Sequence, residues 1–152
     1  MSSAPHIVKV PYHAPVQALR REFNADKPLV LVVEDHEDTR FMLRTMLGMI
    51  GCRVIEAVNG LEAIEIAQRE RPQLILIDGN LPLLDGLSAA RRMREHPELG
   101  DVPIVATSGH VTPKYHAAAL AAGCDDCLFK PFGFEQLKNL VGSLFHMFPE
   151  AA

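Results

Sequence analysis

A chain of 152 residues with 48% hydrophobic and 22% charged side chains has room for one domain with a proper core and is short for two. Its net charge of −4 gives no basic footprint for a nucleic-acid partner, and no apolar run approaches the roughly 18 residues that cross a membrane. Three cysteines are odd in number and too few for a disulfide framework, and Met1-Ser2-Ser3-Ala4-Pro5-His6 lacks the basic and apolar regions of a secretory signal, so a reducing, cytoplasmic setting is expected.

Residues 1–27, broken by Pro5, Pro11 and Pro15 and followed by Pro28, show no clear periodicity and read as a flexible extension. Val16 to Phe23 offers at most one or two helical turns, with Leu19 and Phe23 four apart. From Pro28 the chain alternates strictly between strand and helix. Leu29 to Val33 is a uniformly apolar strand ending on Glu34-Asp35, and Asp38 to Ile50 is a helix with Leu43, Met46, Leu47 and Ile50 on one stripe, stopped by Gly51. Arg53 to Ala57 alternates polar and apolar, as a strand with one less covered face does. Asn59-Gly60 leads into a helix from Leu61 to Arg71, closed by Pro72.

Residues 73–78 form the central strand. Leu74 to Ile77 is apolar throughout, ends abruptly on Asp78, and is followed at once by the turn formers Gly79, Asn80 and Pro82. Leu87 to His96 reads as a helix, Pro97 to Asp101 as a loop, and Val102 to Thr107 as a strand leading into Ser108-Gly109-His110. A helix from Pro113 to Ala122 has Pro at its favoured first position and Gly123 at its stop. Cys127 to Phe129 is a short strand ending on Lys130-Pro131, and a last helix runs from about Gly133 to Phe148, leaving residues 149–152 as a tail.

This alternation predicts an α/β fold with a doubly wound, five-stranded parallel sheet and right-handed crossovers. The three most apolar strands belong in the middle and the alternating second and short fifth at the edges, which is consistent with the flavodoxin-like (βα)5 order 2-1-3-4-5. All strand C-termini then lie on one edge, so Glu34, Asp35, Asp78, Ser108 and Lys130 converge. Clustered carboxylates raise one another's pKa unless neutralised, and a hard divalent cation such as Mg²⁺ (or Mn²⁺) does so with oxygen ligands. Lys130 supplies a mobile charge for a phosphoryl group, the Ser108 hydroxyl can donate to a phosphoryl oxygen, and the Asp78 carboxylate can then attack phosphorus.

In these residues the segment 28–148 resembles a response-regulator receiver domain of two-component signalling systems. Glu34-Asp35 matches the family's acidic pair and Asp78 its phosphoaccepting aspartate. Leu81-Pro82 and Asp85-Gly86 match the turn that follows, Ser108 the Ser/Thr switch position, and Lys130-Pro131-Phe132 the lysine motif. The resemblance implies a phosphoprotein that carries 4-aspartylphosphate on Asp78 and that phosphorylates and dephosphorylates itself rather than acting as a dedicated enzyme. It implies metal held by Asp35, Asp78 and the backbone carbonyl of Asn80, with Glu34 acting through the metal's water shell. It implies a phosphohistidine donor on a sensor histidine kinase or a histidine phosphotransfer protein. His110, two residues after Ser108, is placed to tune the site. One position departs from the family: Cys127 stands where a switch aromatic is usual, which directs attention to the loop after Ser108 as the moving part.

Other readings are weaker. Cys124-x-x-Cys127 has no second pair to complete a zinc site and reads as small residues in buried places. Nucleotide signatures of the G-x-G-x-x-G and G-x-x-x-x-G-K kind are absent. A haloacid-dehalogenase-like phosphohydrolase, also with an aspartyl nucleophile, carries Asp-x-Asp on its first strand, whereas here the candidate nucleophile lies on the third. A receiver acting only as a docking module would not need all the acceptor residues. The chain is expected to signal through an altered protein–protein surface, as a stand-alone regulator or as a receiver excised from a hybrid histidine kinase.

Overall fold

Both faces of the central strands are buried, which is why their sequences do not alternate. In the computed structural model, which describes residues 27–110 and 112–147, β1 (Leu29–Val33) is followed by α1 (Glu37–Ile50), β2 (Arg53–Ala57), α2 (Gly60–Glu70), β3 (Leu74–Asp78) and α3 (Gly86–Arg94). Then come β4 (Ile104–Ser108), α4 (Pro113–Ala121), β5 (Asp126–Phe129) and α5 (Phe134–Phe145). The expected flexible extension, its turns at Val16 to Phe23, and the tail after Phe148 lie outside the described residues. The strands pair in parallel in the order β2-β1-β3-β4-β5, the flavodoxin-like arrangement expected. Among the described residues, no helix is long and apolar enough to cross a membrane.

Odd and even positions along each strand serve two separate cores. Leu31, Val33, Ile75, Ile77, Ile104 and Ala106 pack against α2, α3 and α4 through Ala63, Ala67, Ala89, Ala90, Met93 and Ala119. Val30, Val32, Leu74, Leu76 and Val105 pack on the other face against α1 and α5, through Leu43, Leu47, Ile50, Leu137 and Val141. The edge strand β2 turns its polar residue Glu56 toward α1, where Arg40 Nε holds one carboxylate oxygen at 3.1 Å and an Arg44 guanidinium nitrogen the other at 2.9 Å.

Element ends differ from the sequence expectation where backbone chemistry intervenes. The fourth strand starts at Ile104 rather than Val102, because Pro103 has no N–H and the Ile104 N–H is taken by the Asp125 carboxylate at 2.8 Å. Pro97–Leu99 makes a single 3-10 turn where a loop was expected. The third helix stops at Arg94 instead of His96. The Arg94 guanidinium there ties the Leu99 carbonyl (2.7 Å) to the Gly123 carbonyl (2.9 Å) and the Asp125 carboxylate (3.0 Å). The last helix ends at Phe145 rather than running to Phe148, because His146 takes a left-handed conformation at φ 51°.

Candidate functional site

The parallel order carries the ends of β1, β3, β4 and β5 to one edge. At β1 the Glu34 N–H extends the ladder to the Ala57 carbonyl (3.1 Å) and leaves the Glu34 side chain only 1% exposed. Its carboxylate is fully engaged. Oε1 accepts from Lys130 Nζ at 2.8 Å, and Oε2 accepts from the His36 backbone N–H at 3.2 Å and lies 3.2 Å from His36 Nδ1. Lys130 Nζ also lies 3.5 Å from Asp78 Oδ2. The lysine is brought there by β5, whose pairing with β4 continues through the Lys130 N–H to the Ser108 carbonyl (2.7 Å).

Asp78 ends β3 at 6% exposure, and its Oδ1 accepts from the Asn80 N–H at 3.1 Å. The chain leaving it folds straight back, because the Gly86 N–H reaches the Gly79 carbonyl at 3.1 Å. That return requires glycine: a Cβ on Gly86 would strike the Asp78 carbonyl, and one on Gly60 the Leu84 carbonyl. Asp85 then caps α3, accepting from the Ser88 N–H (2.9 Å) and hydroxyl (2.7 Å).

The charges interact as their distances dictate. Burial raises the Asp78 pKa, and the neighbouring Glu34 carboxylate adds to it against the opposing pull of the Asn80 N–H and Lys130, so the net shift is upward. Burial works on Glu34 in the same sense, but Lys130 and the His36 N–H outweigh it and hold that carboxyl below its usual range. Burial alone would lower the Lys130 pKa; its bond to Glu34 and the charge of Asp78 raise it instead. His36 is raised by its contact with Glu34 and by the charge of Asp35, 3.2 Å from Nδ1.

Of the residues singled out in the sequence, Glu34, Asp35, Asp78 and Lys130 come together in one cluster. Ser108 ends β4 at 7% exposure, its Oγ accepting from the His110 N–H at 3.0 Å. His110 is exposed. Cys127, half-buried on β5, packs with the core on the α2–α3–α4 side. Burial pushes the Cys124 thiol up to about 12 and raises that of Cys127 too, so both remain thiols, as expected of a structural pair.

Two residues escaped the sequence analysis. His36 follows the acidic pair directly, and its position was the only signal that its ring could turn onto both carboxylates. Tyr115, on the first turn of α4, reaches the turn after β3 at Gly79. Nothing in its helical spacing indicates that.

Ligand atoms of Glu34, Asp35, His36 and Asp78 all lie within 4.8 Å of one another. Three of the four are carboxylate oxygens, the donor type a hard divalent cation takes. The donor set fits magnesium.

The response regulator receiver domain family model matches residues 30–142. The chain belongs to that family. Among curated relatives, this receiver is 38% identical over 117 residues to the transcriptional regulatory protein PrrA of Mycobacterium bovis, covering 77% of the chain and 49% of PrrA. It is 31% identical over 126 residues to the sensor histidine kinase TmoS of Ectopseudomonas mendocina, covering 83% of the chain and 13% of the kinase. The chain thus spans about half of the first relative and a small part of the second. Among solved structures, the receiver domain of the sensor histidine kinase PA1611 from Pseudomonas aeruginosa, with a magnesium ion coordinated in its active-site cleft, matches at a TM-score of 0.74 and 32% identity. The match covers 79% of this chain and 98% of that one.

Proposed function

We propose that this receiver takes a phosphoryl group from a phosphohistidine onto Asp78, and that the donor is a sensor histidine kinase or a histidine phosphotransfer protein. The observation that carries this is the meeting of Asp78 with Lys130, at 3.5 Å, inside a cluster of carboxylates whose repulsion a bound cation would relieve. Asp35, Asp78 and the backbone carbonyl of Asn80 would hold magnesium or manganese, with Glu34 acting through water. The bound cation supplies charge neutralisation for the incoming phosphoryl group.

The chain's own residues do the rest. The Asn80 N–H occupies Oδ1 of Asp78 and fixes the carboxylate plane, leaving Oδ2 on the Lys130 side as the attacking oxygen. Phosphorus forms its bond to that oxygen as the bond to the donor's imidazole nitrogen breaks, and the electron pair leaves with the imidazole. Lys130 loosens its 2.8 Å hold on Glu34 to meet the transferred oxygens, and Ser108 turns its hydroxyl to the same group. No separate substrate is turned over, so the protein acts as a self-phosphorylating and self-dephosphorylating acceptor that signals through an altered surface to a downstream protein. Incubation with acetyl phosphate and Mg²⁺ followed by intact mass tests this. One added phosphoryl group is expected on the wild type and none on Asp78→Asn, and an equal gain on the variant would refute the assignment.

A further inference from the structure

The phenol of Tyr115 plays no part in that reaction. Among the described residues its hydroxyl is the single buried side-chain polar atom without a hydrogen-bond partner. Buried hydroxyls are nearly always paired, so one left over points to a partner that arrives in another state of the molecule.

Two features fix where this hydroxyl sits. Thr112 caps α4 by accepting from the Tyr115 N–H at 3.0 Å, which sets the tyrosine on the helix's first turn. On the far side, Gly79 follows Asp78 directly, and a Cβ there would strike the Tyr115 hydroxyl oxygen. The ring thus spans from α4 to the chain leaving Asp78. Burial, and then the Cys127 and Cys124 thiols, push the phenol up to about 12, against a smaller opposing influence of the Ser108 side chain. The phenol therefore stays a donor at neutral pH. Ser108 is close by, although its present geometry makes no bond with the phenol. Its Oγ accepts from the His110 N–H at 3.0 Å, which leaves one lone pair and its own proton free.

We propose that Tyr115 is a positioning residue that ties α4 to the phosphorylation state of Asp78 by donating to Ser108 Oγ when the Ser108 hydroxyl donates to the phosphoryl group. The two hydrogen bonds run in one direction, Tyr115 to Ser108 to phosphoryl oxygen, and no proton is transferred. The helix is suited to respond, because α4 buries only Ala119 of its own residues. This inference rests on Asp78 being the phosphoacceptor.

The test compares wild type, Tyr115→Phe, Ser108→Ala and the double variant, with beryllofluoride and Mg²⁺ as the phosphoryl mimic. The Phe variant keeps the ring and loses only the donor. Without beryllofluoride its urea midpoint is expected to equal or exceed that of the wild type, because the orphaned hydroxyl is gone. With beryllofluoride, its affinity by fluorine NMR is expected to fall about tenfold, the size of one good hydrogen bond. The added hydrogen-exchange protection of α4 should disappear with it. The double variant should bind no more weakly than Ser108→Ala alone, because the two hydroxyls act as one chain. Unchanged affinity and unchanged α4 protection in Tyr115→Phe, or additive losses in the double variant, would overturn the role of Tyr115 and leave the phosphoacceptor intact. A wild type that gains no phosphoryl mass from acetyl phosphate and binds no beryllofluoride would overturn both.

Discussion

Replacing Lys130 with Met removes the cation that Glu34 faces at 2.8 Å and Asp78 at 3.5 Å while keeping most of the side-chain volume. At an effective dielectric constant of about 20, the nearer contact alone is worth about 6 kcal/mol of Coulomb attraction before desolvation. Removing one partner of a buried pair costs about 3–5 kcal/mol net, because the other charge is left uncompensated. The Lys130 side chain is 27% exposed, and Glu34 can take up a proton instead, so the lower end, about 3 kcal/mol, is the expected loss at pH 7 without metal. For a domain of this size that is a drop in the thermal midpoint of roughly 10 °C.

The pH dependence carries the sharper test of the same change. In the wild type the folded Glu34 pKa lies below 4.5, so its contribution is present above that value and lost as pH falls through the lower folded one. In the variant, burial acts unopposed by Lys130 and raises the folded pKa above 4.5. The penalty is then full at pH 7 and fades as acid protonates the group. Urea unfolding followed by circular dichroism in EDTA should show the gap between the two proteins narrowing from pH 7 toward pH 5. A gap that stays constant, or one below about 1 kcal/mol at pH 7, the range of an exposed ion pair, would refute the reasoning.

Asp35→Ala should weaken Mg²⁺ binding more than Glu34→Ala, whereas Glu34→Ala should cost more stability, since Glu34 is the buried partner of Lys130; metal titration and urea unfolding of both variants decide the order. Gly86→Ala places a methyl group against the Asp78 backbone carbonyl and should cost about 1–3 kcal/mol, read as a lower urea midpoint. Hydrogen exchange with and without beryllofluoride should change over residues 108–116 and leave β5 nearly still, because Cys127 is too small to sweep the volume of a ring. Changes confined to β5 and α5 would contradict that.

The sheet order and the acidic edge were legible in the sequence because they depend on local signals. Leu29 to Val33 and Leu74 to Ile77 are apolar at every position, which marks strands covered on both faces, while Arg53 to Ala57 alternates and so belongs at an edge. Glu34 and Asp78 directly follow such runs, and in a parallel sheet that alone assigns them to the common edge. Helix starts were legible where a local signal announced them, as at Asn59-Gly60 and Pro113, and the last helix end was missed where a non-glycine residue, His146, adopted a left-handed turn.

Partner choice within the edge was decided only by the tertiary structure. Sequence chemistry assigns Lys130 to a phosphoryl group, and the family resemblance implies that Glu34 acts through a metal's water shell. In the fold the two meet across 96 residues, because the ends of β5 and β1 lie on one edge of the sheet and bring both side chains into one partly buried space. His36 could be seen beside the acidic pair, but its rotamer sets whether the ring faces solvent or the carboxylates. Tyr115 reads locally as one more residue on a short helix. Its significance depends on a missing Cβ at Gly79 and on the reach of its ring from α4 to the turn after β3, and contacts between residues so distant in sequence are set by packing, which leaves no trace in local periodicity.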